Sequence, residues 1–259
     1  MSERSLRLGL LECDHVAERL TPIAGDYRDM FAALLAPVLP DVELVAYDAC
    51  AGELPVRSDE CDAWLATGSR FSAYDDLPWI HALGGFLRDV QASSAPFVGV
   101  CFGHQLLAQA LGGKVEQAAG GWGAGAHALE VAGTAAWMDP PTRTMSLLFM
   151  HQDQVTALPP GGEVVARTDH CPVAMFTVGP TMLGIQAHPE FEAPFVAALL
   201  AARTDRIGAE KTATARASLA QPTDAGLAAR WLARFLRAAS EGPGRSGAPG
   251  RSFRPARGG

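Results

Sequence analysis

The sequence predicts an α/β fold: a doubly wound, mostly parallel sheet with a β-hairpin-rich second half and a C-terminal helical appendage. Up to residue 113, apolar strand-like runs alternate with segments of helical spacing, which is typical of a parallel sheet. From residue 114 to 187, strand-like runs follow one another between turns rich in Gly and Pro, which indicates hairpins. With 259 residues, 48% of them apolar, the chain can bury one large core.

The elements of the first half follow from periodicity and from helix-start signals. Residues 26–37 carry apolar side chains at helical spacing, and residues 78–90 begin with a proline, which suits the first position of a helix. Residues 42–47 alternate as a half-buried strand does. We therefore predict strands at residues 6–11, 42–47, 63–66 and 95–98, and helices at residues 26–37, 78–90 and 102–111.

The elements of the second half are short apolar runs separated by turns. Residues 191–203 then return to helical spacing, and residues 205–239 look helical, with one polar side and an apolar stripe. Residues 240–259 are rich in Gly, Pro, Arg and Ser, which predicts a disordered basic tail. The predicted strands are residues 126–131, 144–149, 163–167, 173–178 and 182–186.

Charge and cysteine content exclude several classes of function. The net charge of −7 argues against binding to nucleic acid or to an anionic membrane surface. We find no segment of signal-peptide type and no apolar run of about 18 residues, so we expect a cytoplasmic protein that does not enter the membrane. The five cysteines are scattered, without a C-x-x-C pair, which argues against a disulfide framework and a zinc site. We expect no metal and no cofactor.

A cysteine between two glycines is the most informative motif of the chain. Residues 99–105 read GVCFGHQ and follow the apolar run 95–98, so Cys101 lies between a predicted strand and a predicted helix. This arrangement is typical of a nucleophile elbow, in which a sharp turn strains the backbone and leaves room only for glycine at Gly99 and Gly103. The N-terminus of the following helix favours a thiolate at Cys101.

A histidine and a glutamate follow another predicted strand. Residues 187–190 read AHPE directly after the apolar run 182–186. In an extended segment, positions i and i+2 point to the same side, so Glu190 can accept a hydrogen bond from one ring nitrogen of His188. Because sites in open α/β sheets gather at the carboxyl ends of strands, we expect the other nitrogen to face Cys101. Nucleophile, base and orienting acid are then complete.

These residues resemble the class I glutamine amidotransferases, whose marks are G-x-C-x-G-x-Q and H-P-E. Residues 99–105 and 188–190 match both motifs. Residues 62–69 resemble the strand and glycine turn that supply an oxyanion donor, and residues 150–155 are similar to the His-Gly-Asp-x-Val segment of the GMP synthase glutaminase domain. The resemblance implies a flavodoxin-like fold.

The extent of the resemblance suggests three parts of the chain. It covers roughly residues 5–200 and does not extend to the last 55 or so. We predict an amidotransferase domain over residues 1–203, a helical C-terminal extension over residues 204–239 and a disordered tail over residues 240–259. In the first turn of the elbow helix, His104 is predicted to be structural.

The resemblance implies cleavage of the glutamine side-chain amide. The Cys101 thiolate attacks the amide carbon, while backbone N–H groups of Phe102 and of the turn at Gly68 and Ser69 bind the developing oxyanion. His188 passes the proton to the leaving ammonia. A γ-glutamyl thioester remains until water, activated by His188, releases glutamate.

The resemblance also implies a set of substrate-binding residues, and here the sequence departs from the family. Gln105 is expected to hold the glutamine, and His151, Gln152 and Asp153 are expected to contribute. The turn that usually reads Gly-Gly-Pro reads GSR at residues 68–70. Gln152 stands where the family has a glycine, whose special backbone angles glutamine adopts only at a cost. The shape of this loop and the choice of substrate are therefore open.

Three functions remain open at this point. Family members feed ammonia to a synthetase site, and residues 204–259 are too short for an ATP-dependent synthetase. The first hypothesis is therefore a glutaminase whose ammonia goes to an acceptor on a separate partner protein. The second is a hydrolase of γ-glutamyl peptides or conjugates, with water as the acceptor. The third is a catalytically silent regulatory or binding protein of the same fold.

Overall fold

A nine-stranded mixed sheet is the centre of the protein in the computed structural model, which describes residues 5–240 and 254–255. The strands are β1 (Arg7–Leu11), β2 (Glu43–Tyr47), β3 (Ala63–Ala66), β4 (Phe97–Val100), β5 (Lys114–Gln117), β6 (Gly123–Val131), β7 (Gly133–Thr134), β8 (Thr144–His151), β9 (Asp153–Ala157), β10 (Gly162–Arg167), β11 (Met175–Val178), β12 (Met182–Ile185) and β13 (Arg254–Pro255). The helices are α1 (Thr21–Ala24), α2 (Tyr27–Leu35), α3 (Pro78–Ala92), α4 (Phe102–Ala110), α5 (Ala193–Ala202), α6 (Thr204–Ile207), α7 (Ala209–Ser218) and α8 (Ala225–Ser240), and a 3₁₀ turn spans Ala49–Ala51.

The first half of the sheet is parallel and is covered on both faces. Its order is β2-β1-β3-β4-β12, and every one of these pairings is parallel. Leu65 of β3 packs into a core that includes α2, α5 and α8, whereas Trp64 and Ala66 pack into a second core with α3 and α4. Burial on both faces explains why β3 and β4 are continuous apolar runs.

Strand β12 joins the parallel half to an antiparallel half. Ile185 of β12 lies opposite Val100 of β4 in parallel register, while β11, β10, β6 and β8 follow on its other side in antiparallel order. The predicted α/β fold with a hairpin-rich second half is confirmed. Because β4 and β12 are parallel neighbours, Cys101 and His188 both follow the same edge of the sheet.

A small two-stranded pair was not predicted. Strands β5 and β9 pair antiparallel, with Val115 opposite Val155. Since Val115 is the one apolar residue of β5, the alternation is too short to indicate a strand from sequence. Residues 151–153, expected as a loop, therefore lie at the junction of two strands, with His151 ending β8 and Asp153 beginning β9.

Residues 204–240 contain three helices, which contact the sheet domain. Gly208, with φ of 93°, separates α6 from α7, a backbone angle that glycine adopts without strain. Helix α8 packs against α2, and Trp231 Nε1 donates to the Pro140 carbonyl at 3.0 Å. The predicted disordered tail at 240–259 lies outside the described residues, apart from Ser240 and strand β13, which pairs with β7. None of the described helices has the length and apolar character needed to cross a bilayer.

Candidate active site

Cys101 lies on a strained turn between β4 and α4. Its φ is 51° and its ψ is −99°, and among the described residues only Ser94 is another non-glycine with positive φ. A Cβ at Gly99 would lie 2.4 Å from the Gly103 backbone, and a Cβ at Gly103 would lie 2.6 Å from the Ala66 carbonyl oxygen. Both neighbours at −2 and +2 must therefore be glycine, as a nucleophile elbow requires.

His188 and Glu190 form a buried pair just after β12. The His188 backbone N–H donates to the Leu148 carbonyl at 2.8 Å, which anchors the segment to β8. Nδ1 of His188 lies 2.7 Å from Oε1 of Glu190, and their side chains are 3% and 0% exposed. The ring of Phe191 stacks on the imidazole, with centroids 3.9 Å apart and planes 3° from parallel. The imidazole is thus held by a hydrogen bond at its edge and by a ring on its face.

The charge state of His188 follows from its two partners. Burial alone would lower the pKa of His188, but the negative charges of Glu190 and Cys101, and hydrogen bonds to both, raise this pKa to about 10. The imidazole is therefore protonated at neutral pH, next to a cysteine. A cationic partner of this kind stabilises the thiolate form of a nucleophilic cysteine.

The turn after β3 packs directly against the cysteine and the histidine. A Cβ at Gly68 would lie 2.9 Å from Cε1 of His188 and 3.6 Å from Cβ of Cys101, so this position also needs glycine. The Thr67 carbonyl accepts from the Gly103 N–H at 3.2 Å, which ties the turn to the start of α4. The backbone of Gly68 and Ser69, and that of Phe102 next to Cys101, therefore surround the nucleophile.

Two glutamines link the cysteine to the strand β9. Nε2 of Gln186 donates to Sγ of Cys101 at 3.4 Å. Nε2 of Gln105 donates to Oε1 of Gln186 at 3.0 Å and to the Asp153 carbonyl at 2.6 Å. The sequence analysis singled out Gln105 but missed Gln186. A signal existed, because Gln186 precedes His188 by two residues and so shares its side of the extended segment.

An open cavity of about 270 Å³ lies over Cys101. Residues 151–153 line it together with Gln105, so the structure brings the predicted substrate-binding residues to the nucleophile. Gln152 does not have a positive φ, so the backbone at this position does not adopt the angles that would favour the family's glycine. The Ser72 hydroxyl donates to the Asp153 carboxylate.

His151 is a neutral, buried wall of this cavity. Burial, followed by the charges of neighbouring histidines, holds the pKa of His151 well below its ordinary value. Within residues 5–240 and 254–255, neither of its ring nitrogens has a hydrogen-bond partner. A Cβ on Gly123 would lie 2.7 Å from its Cε1, so the ring covers this part of β6.

Arg70 stands where the usual Gly-Gly-Pro turn has its proline, and Asp14 holds it at the rim of the cavity. The Arg70 backbone N–H donates to Asp14 at 2.9 Å, and its guanidinium group donates to the same carboxylate at 2.6 Å. Asp14 is buried just beyond β1. The sequence analysis missed two further arginines of the cavity, Arg203 and Arg206, because they come from helices of the chain that carry no motif.

Comparisons with known proteins agree with this geometry. A family model described as class I glutamine amidotransferase matches residues 80–195. A glutamine amidotransferase-like protein of Schizosaccharomyces pombe is 30% identical over 207 residues, which are 73% of this chain and 81% of that protein. Gamma-glutamyl peptidase 3 of Arabidopsis thaliana is 26% identical over 198 residues, which are 73% of this chain and 78% of that protein. The glutamine-hydrolysing GMP synthase of Thermosynechococcus vestitus is 40% identical over 179 residues, which are 64% of this chain but 30% of that enzyme.

Solved structures share the fold. A glutamine amidotransferase of Thermotoga maritima superposes with a TM-score of 0.73 at 19% sequence identity, over 93% of this chain and all of that one (100%). A glutamine amidotransferase of Methylobacillus flagellatus superposes with a TM-score of 0.67 at 21% identity, over 92% and 94% of the two chains. On the sequence relatives and on this fold, the chain belongs to the class I glutamine amidotransferase family.

Proposed function

We propose that the protein hydrolyses γ-glutamyl amides through a thioester on Cys101. The observation that carries this proposal is the geometry at Cys101: a buried cysteine on a strained turn interacts with His188, whose Nδ1 is held by Glu190. A nucleophile, a base and an orienting acid in mutual contact are the parts that nucleophilic catalysis needs.

The mechanism follows from these contacts. The Cys101 thiolate attacks the γ-amide carbon, and the negative charge on the carbonyl oxygen develops beside the N–H groups of Phe102, Gly68 and Ser69. One such donor is worth about 3 kcal/mol of transition-state stabilisation in other enzymes. His188 donates its proton to the leaving nitrogen as the C–N bond breaks. It then takes a proton from water, which attacks the thioester and releases glutamate.

Glutamine is the first proposed substrate. Its products are glutamate and ammonia, and we propose that the ammonia passes to an acceptor site on a separate partner protein. The relationship to a GMP synthase that is named as glutamine-hydrolysing supports glutamine as the substrate in this version.

γ-Glutamyl peptides are the second proposed substrate, with water as the acceptor. Relatives in Arabidopsis thaliana that carry the name gamma-glutamyl peptidase support this version, and the match covers 78% of one of them. The cavity supports it as well, because it carries two arginines in addition to the Asp14-bound Arg70.

Glutamate release from purified protein tests the proposal. Wild type should release glutamate from glutamine or from γ-glutamyl peptides, and Cys101→Ala should not. Cys61→Ala removes another buried cysteine, outside the cavity, and serves as the matched control. Candidate synthetase partners are added in a second series to detect ammonia transfer. Turnover that survives in Cys101→Ala contradicts the proposal. A folded wild type that neither turns over nor reacts with a glutamine-mimicking electrophile would be the catalytically silent alternative.

A further inference from the structure

Two arginines line the cavity that contains Cys101. Arg203 joins the end of α5 to the start of α6, and Arg206 lies one turn further along α6. In the described part of the chain, no carboxylate oxygen lies within ion-pair distance of either guanidinium group, whereas Arg70 in the same cavity is paired with Asp14.

The arrangement holds two like charges close together, one on the half-buried Arg203 and one on the exposed Arg206. Burial lowers the pKa of Arg203 below its ordinary value, and the positive charge of Arg206 lowers it further, while Tyr27 partly opposes both effects. Arg206 is positioned by Trp122, whose ring lies 5.4 Å from its guanidinium carbon. Burial makes the unpaired charge of Arg203 costly, and an anionic ligand offsets that cost, while the exposed Arg206 adds a second positive charge for the same ligand. Guanidinium groups bind carboxylates through parallel hydrogen bonds.

The two candidate substrates differ in the charge that they would bring to this place. Glutamine carries one carboxylate and one ammonium group, both on its α-carbon, and its leaving group is ammonia. A γ-glutamyl amino acid carries a second carboxylate on the leaving side of the scissile bond. Next to the nucleophile, the cavity offers the Asp153 carboxylate, which is of the right sign for the α-ammonium group of the glutamyl half. Arg70, the third arginine of the cavity, is of the right sign for the α-carboxylate, which leaves Arg203 and Arg206 for a second carboxylate.

We propose that Arg203 and Arg206 bind the carboxylate of the leaving group, so that the preferred substrate is a γ-glutamyl amino acid or a short γ-glutamyl peptide with a free carboxyl terminus. This inference rests on the proposed γ-glutamyl hydrolase function and selects one of its two substrates. In the reaction, the γ-amide C–N bond breaks, His188 protonates the amine of the leaving amino acid, and water supplies the hydroxyl group of the released glutamate.

Three substrates distinguish binding of the leaving-group carboxylate from a general effect of the arginines on catalysis. γ-Glutamylglycine and γ-glutamylglycinamide differ only in the terminal carboxylate, and glutamine lacks the leaving residue. We expect wild type to cleave γ-glutamylglycine with kcat/KM at least tenfold above that for the glycinamide. In Arg206→Gln and Arg203→Gln, this ratio should fall to about one, through a higher KM for γ-glutamylglycine. Arg216→Gln, an exposed arginine of α7 outside the cavity, should keep the wild-type ratio.

The outcomes that overturn the inference are specific. A wild-type ratio near one excludes a carboxylate-binding role. An equal loss on all three substrates in Arg206→Gln assigns the arginines to the glutamyl half or to structure, and overturns the inference while the proposed function survives. If wild type cleaves none of the three, the proposed function itself fails and the inference fails with it. If Arg203→Gln does not fold, Arg206→Glu, on an exposed side chain, provides the same test by charge reversal, and a loss of the ratio supports the inference.

Discussion

Nδ1 of His188 lies 2.7 Å from Oε1 of Glu190, with both side chains removed from solvent. This contact leaves Nε2 of His188 as the nitrogen available to the cysteine and to a substrate. Burial alone would lower the pKa of His188, and the negative charge of Glu190 is the largest of the effects that raise it. The charge state of the imidazole therefore depends on a carboxylate two residues away along the chain.

Replacing Glu190 by Gln should change the pH dependence of the cysteine. Without the carboxylate, only Cys101 still opposes the effect of burial, so the pKa of His188 should fall from about 10. Imidazolium is then lost as the pH rises above that lower value. We expect alkylation of Cys101 at pH 7 to slow by about tenfold or more, which corresponds to roughly 1.4 kcal/mol. Alkylation rates from pH 5 to 10 check this. The same profile in wild type and Glu190→Gln would contradict the role of Glu190.

Replacing Gln186 by Leu should weaken catalysis without unfolding the protein. The change removes a donor to the Cys101 sulfur and an acceptor for Gln105. A hydrogen bond to a charged group is worth about 1.5–3 kcal/mol, so we expect kcat/KM to fall by about tenfold to a hundredfold. Steady-state kinetics, with circular dichroism as the folding control, measure the effect. Wild-type kinetics in the variant would show that Gln186 is a bystander.

A methyl group at Gly99 should destabilise the fold. Its Cβ would lie 2.4 Å from the Gly103 backbone, which cannot move away without distorting the elbow. Overpacking of this kind costs about 1–3 kcal/mol. Gly85→Ala is the matched control, because its Cβ would come no closer than 3.8 Å to an arginine side chain, and alanine favours the helix α3. Chemical denaturation should show a loss for Gly99→Ala and none for Gly85→Ala.

His104 should make the protein sensitive to acid. Burial lowers the pKa of His104 to about 3, so the folded state keeps it neutral while the unfolded chain protonates it below about pH 6.5. Above about pH 6.5, His104 is neutral in both states. As the pH falls from about 6.5 towards 3, only the unfolded chain takes up the proton, and the free energy of unfolding decreases by up to about 1.4 kcal/mol per pH unit. His104→Phe unfolds with the uptake of one proton fewer, so its free energy of unfolding should depend less steeply on pH. Equal slopes in both proteins between pH 4 and 6 would contradict this.

Local signals were enough to predict most of the fold and the centre of the candidate site. The elbow at Cys101 and the pair His188 and Glu190 are short motifs, and their neighbouring strands are continuous apolar runs. Strand β5 and the arginines Arg203 and Arg206 were not predictable in this way. Strand β5 has one buried side chain, and the two arginines reach the cavity only because α5 and α6 fold back over it. Contacts of that kind depend on tertiary packing and leave no periodic signal.

Trapping the covalent intermediate tests the central claim most directly. Wild type is mixed with a γ-glutamyl substrate, quenched in acid within the first turnovers, digested and analysed by mass spectrometry. The account predicts a γ-glutamyl thioester on the peptide that contains Cys101, and its absence in Cys101→Ala. Substrate turnover with no adduct at Cys101, or with an adduct on another residue, would contradict the account.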